Sequence, residues 1–346
     1  MRHLGFLLLQ TLCLLWAAVS GIPATAHAQT EIRFATAYGA DNFQTQNLQQ
    51  YADDVRRATG GKVRMEVHPA GSLLRPTEIF GGVREGRAEG GEVIMSSIAN
   101  ESPIFGMDSL PFIVSGYGDA RRMWEASRPA VEEALAERGL KLLYAVPWPP
   151  QNLYSSTPIN GISDFRGLRM RSFSPATERI AELVRAKPVT IQVVDLSKAI
   201  AGSELDLMIT SSWTGVETKA WTRLNHYYKA SVFIPKNIVF LRQDIFDSLD
   251  AASQKILLDL AKTAEERGWK RSESSDRDYE AVLAANNVKV STMDFFIRQY
   301  LDRIGETIAR EWLKQAGQSE LQVLLQYTTN RSMGAPGAAG PHGTVH

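Results

Sequence analysis

The sequence predicts an α/β fold built from two lobes. Its 346 residues are enough for about two domains, each with a core of its own. Strand-like and helix-like segments alternate along most of the chain, a pattern typical of α/β units with largely parallel sheets. A proline cluster at 147–150 interrupts this pattern, and a second complete α/β unit follows it. We therefore expect a lobe on each side of the cluster.

The elements of the first unit follow from hydrophobic periodicity and from the turn residues that bound them. The segment at 62–67 alternates strictly between apolar and charged residues, as a half-buried strand does. The helix at 42–59 stops at Gly60-Gly61. The unit is predicted to contain strands at 31–35, 62–67, 93–95 and 141–146 and helices at 42–59, 77–85 and 119–138.

The second unit has the same alternation. It is predicted to contain strands at 167–171, 189–193 and 205–209 and helices at 175–187, 195–201 and 214–224. An apolar run over 233–241, broken by Pro235-Lys236-Asn237, predicts a crossing back to the first lobe. The helix at 251–286 is unusually long, which suggests that it spans both lobes, and a last helix follows at 295–315.

These elements divide the chain as follows. We expect lobe I at 29–150 plus about 238–280, lobe II at 151–237 plus about 281–330, and a disordered tail rich in Gly, Ala and Pro at 331–346.

Residues 1–28 have the features of a secretory signal peptide. Arg2 precedes an apolar segment over 4–19, and Ala26-His27-Ala28 provides a small-x-small cleavage site. An uncleaved anchor is the alternative, but Gln10 and Thr11 interrupt a stretch already shorter than the ~20 apolar residues of a membrane span. We expect cleavage after Ala28, export to the periplasm and, because Cys13 is the chain's one cysteine, a mature protein without thiols.

Composition and motifs disfavour several function classes. The 38 basic and 38 acidic residues cancel, so no basic surface predicts nucleic-acid binding. The GxSxG, GxGxxG and GxxxxGK[ST] motifs are missing, and only His68 and His226 lie in the predicted folded body. We therefore expect no catalytic residue, no metal and no cofactor.

Arg171 is the strongest candidate for a ligand contact. Strand alternation places Arg169, Arg171 and Phe173 on one face, and Ser174-Pro175 is a typical helix start. Arg171 would then lie at the carboxyl end of a strand, where α/β sheets bind ligands, and its guanidinium could hold a carboxylate by two hydrogen bonds. A surface or interdomain salt bridge is the alternative.

Aromatic and small polar residues also follow other predicted strands. Each is by itself more typical of a turn or a cap, but together they suggest a pocket between two lobes. The candidates at these strand ends are Tyr38, Ser96, Ser97, Gln151, Thr210, Ser211 and Trp213, together with Ser174 beside Arg171.

The segment Asp164–Arg171, DFRGLRMR, resembles the D-L-K-G-L-K-x-R signature of the extracytoplasmic solute receptors of TRAP transporters, the DctP-type dicarboxylate-binding family. Further segments resemble the family in the same order, so the likeness covers about residues 30–315. They are NESPIFGMDSLPFIV (100–114), LYSSTPI (153–159), LDLMITSSWTGVETKAW (205–221) and IPKN (234–237).

The resemblance implies a periplasmic protein whose two lobes close around an organic anion and pass it to a sodium-coupled membrane permease. The family's ligand-binding arginine falls on Arg171. A second position, sometimes an arginine, falls near the neutral Gln151. Thr210 to Trp213 match a family segment in which Trp213 would stack on the ligand, and Asn237 matches an asparagine of the crossing strand.

The sequence therefore predicts a monomeric solute receptor for a small organic acid that serves a TRAP permease. A receptor of an ABC importer or of a sensor, which the same fold could serve, is the first alternative. An exported enzyme, a different class, is the second.

Overall fold

Each lobe is built around one β-sheet, and the lobes are connected by two extended crossings of the chain and by the helices α8 and α9. The computed structural model describes residues 29–334, so the predicted signal peptide and residues 335–346 of the predicted tail lie outside the described residues. The strands are β1 (Thr30–Thr36), β2 (Val63–His68), β3 (Gly90–Ile94), β4 (Leu140–Pro147), β5 (Asn152–Ser155), β6 (Arg169–Ser172), β7 (Lys187–Thr190), β8 (Leu207–Thr210), β9 (His226–Lys229), β10 (Lys236–Arg242) and β11 (Lys289–Thr292).

Helices cover both sheets, as expected for α/β lobes. The α-helices are α1 (Phe43–Ala58), α2 (Ile79–Arg84), α3 (Tyr117–Ala136), α4 (Pro175–Leu183), α5 (Val193–Ala201), α6 (Ser212–Glu217), α7 (Gln243–Asp247), α8 (Ala251–Ala285), α9 (Phe295–Leu313) and α10 (Gln318–Gly334). Short 3₁₀ helices lie at Pro76–Glu78, Met95–Ile98, Pro103–Ser109, Ile162–Phe165 and Ala220–Thr222.

The two sheets have the strand orders β2-β1-β3-β10-β4 and β11-β9-β5-β8-β6-β7. The expected parallel pairs form, for example β1 with β2 and β6 with β7. Each sheet also contains one strand that runs antiparallel to both of its neighbours, β10 in the first and β5 in the second. These two strands enter their sheets directly from the other lobe, without the helical crossover that a parallel neighbour requires.

The two crossings, residues 148–151 and 230–235, lie side by side. The Trp148 amide donates to the Pro235 carbonyl at 2.8 Å, and the Gln151 amide donates to Phe233 at 2.9 Å. The Val232 amide donates back to the Gln151 carbonyl at 2.8 Å. The crossings therefore form one hydrogen-bonded ribbon between the lobes.

Helix α8 confirms the expected long helix that spans both lobes. The Asp250 carboxylate caps its first turn by accepting from the Ser253 amide at 2.8 Å. Along its length, α8 packs on α1 and β4 in the first lobe and on α6 and β11 in the second. Helix α9 also contacts both lobes, because Trp312 donates to the Pro103 carbonyl at 2.8 Å and Tyr300 donates to the Leu183 carbonyl at 3.1 Å.

Helix α10 corrects the expected division of the chain. It packs on α3, and the Tyr327 hydroxyl donates to the Ile113 carbonyl at 2.8 Å. Residues 318–330 therefore belong with lobe I, not with lobe II. The sequence predicts a disordered tail from residue 331, but α10 continues to Gly334.

Helix α8 approaches β4 closely at Gly268, which has no side chain. A Cβ added at Gly268 would lie 2.4 Å from Val146 Cγ2. We expect Gly268→Ala to lower the free energy of unfolding by about 1–2 kcal/mol, because overpacking costs about 1–3 kcal/mol and helix propensity returns at most about 1 kcal/mol. Urea unfolding measures the change. Gly118→Ala is the matched control, since Gly118 is exposed on α3 and should be neutral or stabilising. An equal gain at both glycines would contradict the close approach.

Candidate functional site

A cavity of about 150 Å³ lies between the two lobes. A cavity of ~150 Å³ holds a benzene-sized molecule, so the space suits a ligand of that size. Apolar side chains from both lobes form much of its wall, including Phe80 and Val93 from the first lobe and Phe173 from the second. Its polar and charged members include Tyr38, Glu92, Ser97, Gln151, Arg171 and Thr210.

Arg171 reaches this cavity from the carboxyl end of β6. It is 4% exposed, its Nε donates to the Ile191 carbonyl at 3.0 Å, and its guanidinium carbon lies 4.6 Å from the centre of the Phe173 ring. Burial lowers the pKa of Arg171 to about 10, so the side chain remains cationic at neutral pH. Within residues 29–334 no carboxylate forms an ion pair with Arg171. The alternative of a structural salt bridge is therefore not what the structure shows.

Arg169, on the same face of β6, has a different environment. Its Nε and Nη2 donate to the two carboxylate oxygens of Asp206 at 2.9 and 2.8 Å. Arg223 adds a further hydrogen bond to Asp206 at 2.9 Å, and the Arg169 contacts are the largest cause of a pKa of about 2 for Asp206. Arg169 is thus occupied within its own lobe, while Arg171 faces the cavity.

Helix caps explain two of the predicted site residues. The Ser174 hydroxyl is the N-cap of α4 and accepts from the Thr177 amide at 3.4 Å, with Pro175 at the first helical position. The Ser211 hydroxyl is the N-cap of α6 and accepts from the Thr214 amide at 3.1 Å. Neither serine lines the cavity. We correct both from ligand contacts to caps, since each hydroxyl satisfies a free amide of a helix end.

Three further candidates lie behind the cavity wall. Trp213 packs between Phe43 and Tyr279, with ring centres at 4.7 and 4.3 Å, so the expected stacking on a ligand is replaced by stacking on these two rings. The Asn237 side-chain oxygen accepts from Trp148 Nε1 at 2.8 Å and from the Tyr38 hydroxyl at 3.2 Å. Asn237 therefore positions two residues of the wall without being part of it. Ser96 is buried and does not line the cavity, whereas its neighbour Ser97 does.

The remaining candidates all line the cavity. The structure brings Tyr38, Ser97, Gln151, Thr210 and Arg171 together on the cavity wall. The Gln151 side-chain amide donates to the Pro149 carbonyl at 2.8 Å, which fixes its orientation next to the crossing.

Glu92 is the functional candidate that the sequence analysis missed. It lies on β3 with 1% of its surface exposed, and the Thr36 hydroxyl donates to its carboxylate at 2.5 Å. Burial raises the pKa of Glu92 to about 7. One feature of the sequence could have indicated Glu92. It is a single carboxylate, directly after Gly90-Gly91, in a segment whose other residues are typical of a buried strand.

Two polar contacts join the lobes close to the cavity. The Asn42 side-chain amide of the first lobe donates to the Glu217 carboxylate of the second at 3.0 Å. Arg75 Nη2 lies 3.3 Å from Asp195 Oδ2, next to Pro76 and Val193 of the cavity wall.

Neither a metal cluster nor a membrane-spanning helix emerges from the part of the chain that the structure describes. Residues 29–334 contain no group of three or more His, Cys, Asp or Glu side chains that could hold a metal ion. None of the helices in the same range is both long and apolar enough to cross a bilayer.

The architecture is that of a two-lobe solute receptor. It has two α/β lobes, two hydrogen-bonded crossings between them and a small cavity that both lobes line. Residues 34–315 match the family model of DctP, the bacterial extracellular solute-binding proteins of family 7. The match spans most of the chain, so the protein belongs to this family. Its members are solute receptors, and the chain is a receptor and not an enzyme.

Solved structures and curated relatives agree with this assignment. The chain is 36% identical to DctP6 of Bordetella pertussis, an extracytoplasmic solute receptor binding pyroglutamic acid, over 87% of this chain and 100% of that one, with a TM-score of 0.85. It is 32% identical to a marine metagenome TRAP solute-binding protein specific for pyroglutamate, over 87% and 99% of the two chains, with a TM-score of 0.85. A solute-binding protein of Albidiferax ferrireducens is 23% identical over 83% of this chain and 87% of its own. The TRAP relatives set aside both alternatives, an ABC or sensor receptor and an exported enzyme.

Proposed function

We propose that the receptor binds a small organic acid through Arg171 and delivers it to the membrane permease of a TRAP transporter. The observation that carries the proposal is a buried guanidinium on the cavity wall, which no carboxylate of residues 29–334 contacts as an ion pair. Burying a charge is costly unless an opposite charge is paired with it, so a ligand carboxylate is the group that this position favours.

The size of the cavity and the relatives support one first ligand. Pyroglutamate is a five-membered lactam with one carboxylate, and it is the ligand of the Bordetella pertussis and marine metagenome receptors described above. It is small enough for a cavity of about 150 Å³. We therefore propose a small cyclic monocarboxylate, with pyroglutamate as the compound to test first.

The proposal includes how the receptor reaches its ligand. Export through the predicted signal peptide would leave a periplasmic monomer that begins at Gln29. Intact mass and light scattering of protein recovered from the periplasm measure both properties.

A thermal-shift titration tests the ligand. At 100 times its dissociation constant, pyroglutamate should stabilise the protein by ~2.7 kcal/mol. Its methyl ester, which has the same ring without the carboxylate charge, should give no shift at the same concentration. Equal stabilisation by acid and ester would contradict a carboxylate bound to Arg171.

A further inference from the structure

We propose that Glu92 accepts a hydrogen bond from an N–H group of the ligand, so that the cavity selects a monocarboxylate carrying such a donor and rejects a dicarboxylate. The inference rests on the proposed function, because Arg171 must first take the ligand's carboxylate. Glu92 lies in the first lobe, whereas Arg171 lies in the second, and it is outside the signature segment Asp164–Arg171.

One oxygen of the Glu92 carboxyl group already accepts a hydrogen bond from the protein. The Tyr38 amide donates to Thr36 Oγ1 at 3.3 Å, which leaves the Thr36 hydroxyl hydrogen for Glu92 Oε2 at 2.5 Å. The side chain of Asn237, on the adjacent strand β10, also favours the ionised form of Glu92 and lowers its pKa, although burial has the larger effect and raises it. Above its pKa of about 7 Glu92 is ionised, and an ionised carboxylate is an acceptor only.

The second oxygen of Glu92 has no hydrogen-bond partner among the described residues. Glu92 Oε1 accepts no hydrogen bond from residues 29–334, and Glu92 forms part of the cavity wall. A ligand that displaces water from the cavity would leave Oε1 buried without a partner, which is costly unless the ligand donates a hydrogen bond to it. An N–H group of the ligand would satisfy the oxygen.

The charges of the cavity explain the selectivity. Arg171 enters from the second lobe and Glu92 from the first, so the two ends of a bound ligand meet opposite charges. A second ligand carboxylate near Glu92 would face a like charge without a cation to offset it, which disfavours a dicarboxylate. Gln151, where a second cation could have been, is neutral.

Calorimetric titration with two isosteric ligands tests the inference. Pyroglutamate carries a ring N–H, and its lactone analogue, 5-oxotetrahydrofuran-2-carboxylate, has a ring oxygen there. At a pH above the Glu92 pKa of about 7, we expect wild type to bind pyroglutamate at least tenfold more tightly than the lactone and to bind glutarate more weakly still. In Glu92→Gln the preference should fall to threefold or less, because the amide can donate to the ring oxygen. Glu85→Gln, an exposed glutamate outside the cavity wall, is the matched control and should keep the wild-type preference.

The outcomes separate the two proposals. One outcome is that wild type binds pyroglutamate and the lactone equally, with neither affinity changed in Glu92→Gln. In that case Glu92 does not accept a hydrogen bond from the ligand N–H group, but the proposal that Arg171 binds the carboxylate is not contradicted. If neither compound binds to wild type, both the proposed ligand class and this inference are overturned. The comparison in wild type does not depend on whether the variant folds.

Discussion

Arg171→Ala should weaken ligand binding by about 2–5 kcal/mol, since a bound carboxylate would be left desolvated without a partner. This corresponds to an increase in the dissociation constant of roughly 30- to 4,000-fold. Arg171→Lys keeps the charge but loses the planar pair of donors, so we expect a smaller but clear loss. Calorimetric titration with pyroglutamate, or with the ligand that the thermal-shift screen identifies, measures both variants.

Stability and a second arginine provide the controls. The free energy of unfolding of ligand-free Arg171→Ala should equal or exceed that of wild type, because the substitution removes a desolvated cation without an intramolecular carboxylate. Arg166→Ala, at an exposed position of the same lobe, should bind as wild type does. If Arg171→Ala binds within threefold of wild type, a difference of ~0.7 kcal/mol, the ligand is anchored elsewhere.

Asp108→Ala should cause the largest loss of stability. Lys236 is fully buried at the start of β10, with Nζ 3.6 Å from Asp108 Oδ2, and its backbone amide donates to the same oxygen at 2.7 Å. Removing one partner of a buried ion pair costs about 3–5 kcal/mol, because the lysine left buried without its partner must either stay charged or give up its proton. Urea unfolding at pH 7 measures the change.

The pH dependence of this loss gives an independent check. Burial lowers the pKa of Lys236, and loss of Asp108 removes the interaction that raises it, so in the variant the folded state should hold Lys236 neutral. The unfolded state then binds one proton more, and the stability of the variant should rise with pH towards the ordinary lysine pKa of 10.5. The double variant Asp108→Ala/Lys236→Met should recover much of the loss. A single variant as stable as wild type at pH 7 would contradict a stabilising pair.

The sequence predicted the long elements well because a hydrophobic pattern that repeats over many residues is distinguishable from chance. The 35-residue helix α8 and the strand β2, with its alternating pattern, are examples. Strands β5, β9 and β11 were not predicted. Strand β5 has four residues that are all buried, so no alternation was visible there. Helix α10 has no pronounced apolar stripe, which is why its packing on α3 was not anticipated.

The site was predictable only in part, for a chemical reason. Arg171 could be placed because the Ser174-Pro175 helix start fixes the end of its strand. Ser174 and Ser211 could not be assigned, because the hydroxyl that suits a ligand also suits a helix cap, and only the three-dimensional structure shows which amide it meets. Glu92 was not predicted because it lies in a segment interpreted as a buried strand, and residues of such a strand are assigned to the core.

The division of the cavity wall between the lobes has a thermodynamic consequence. A ligand that needs Arg171 from one lobe and Glu92 from the other binds with full strength only when the lobes are together, as they are across the Arg75–Asp195 contact of 3.3 Å. The measured dissociation constant is then the intrinsic one divided by the fraction of molecules already in that state. Moving the equilibrium from 1:99 to 99:1 takes about 5.5 kcal/mol of differential affinity. A partner that senses only the separation of the lobes can therefore distinguish an occupied receptor from an empty one without touching the ligand.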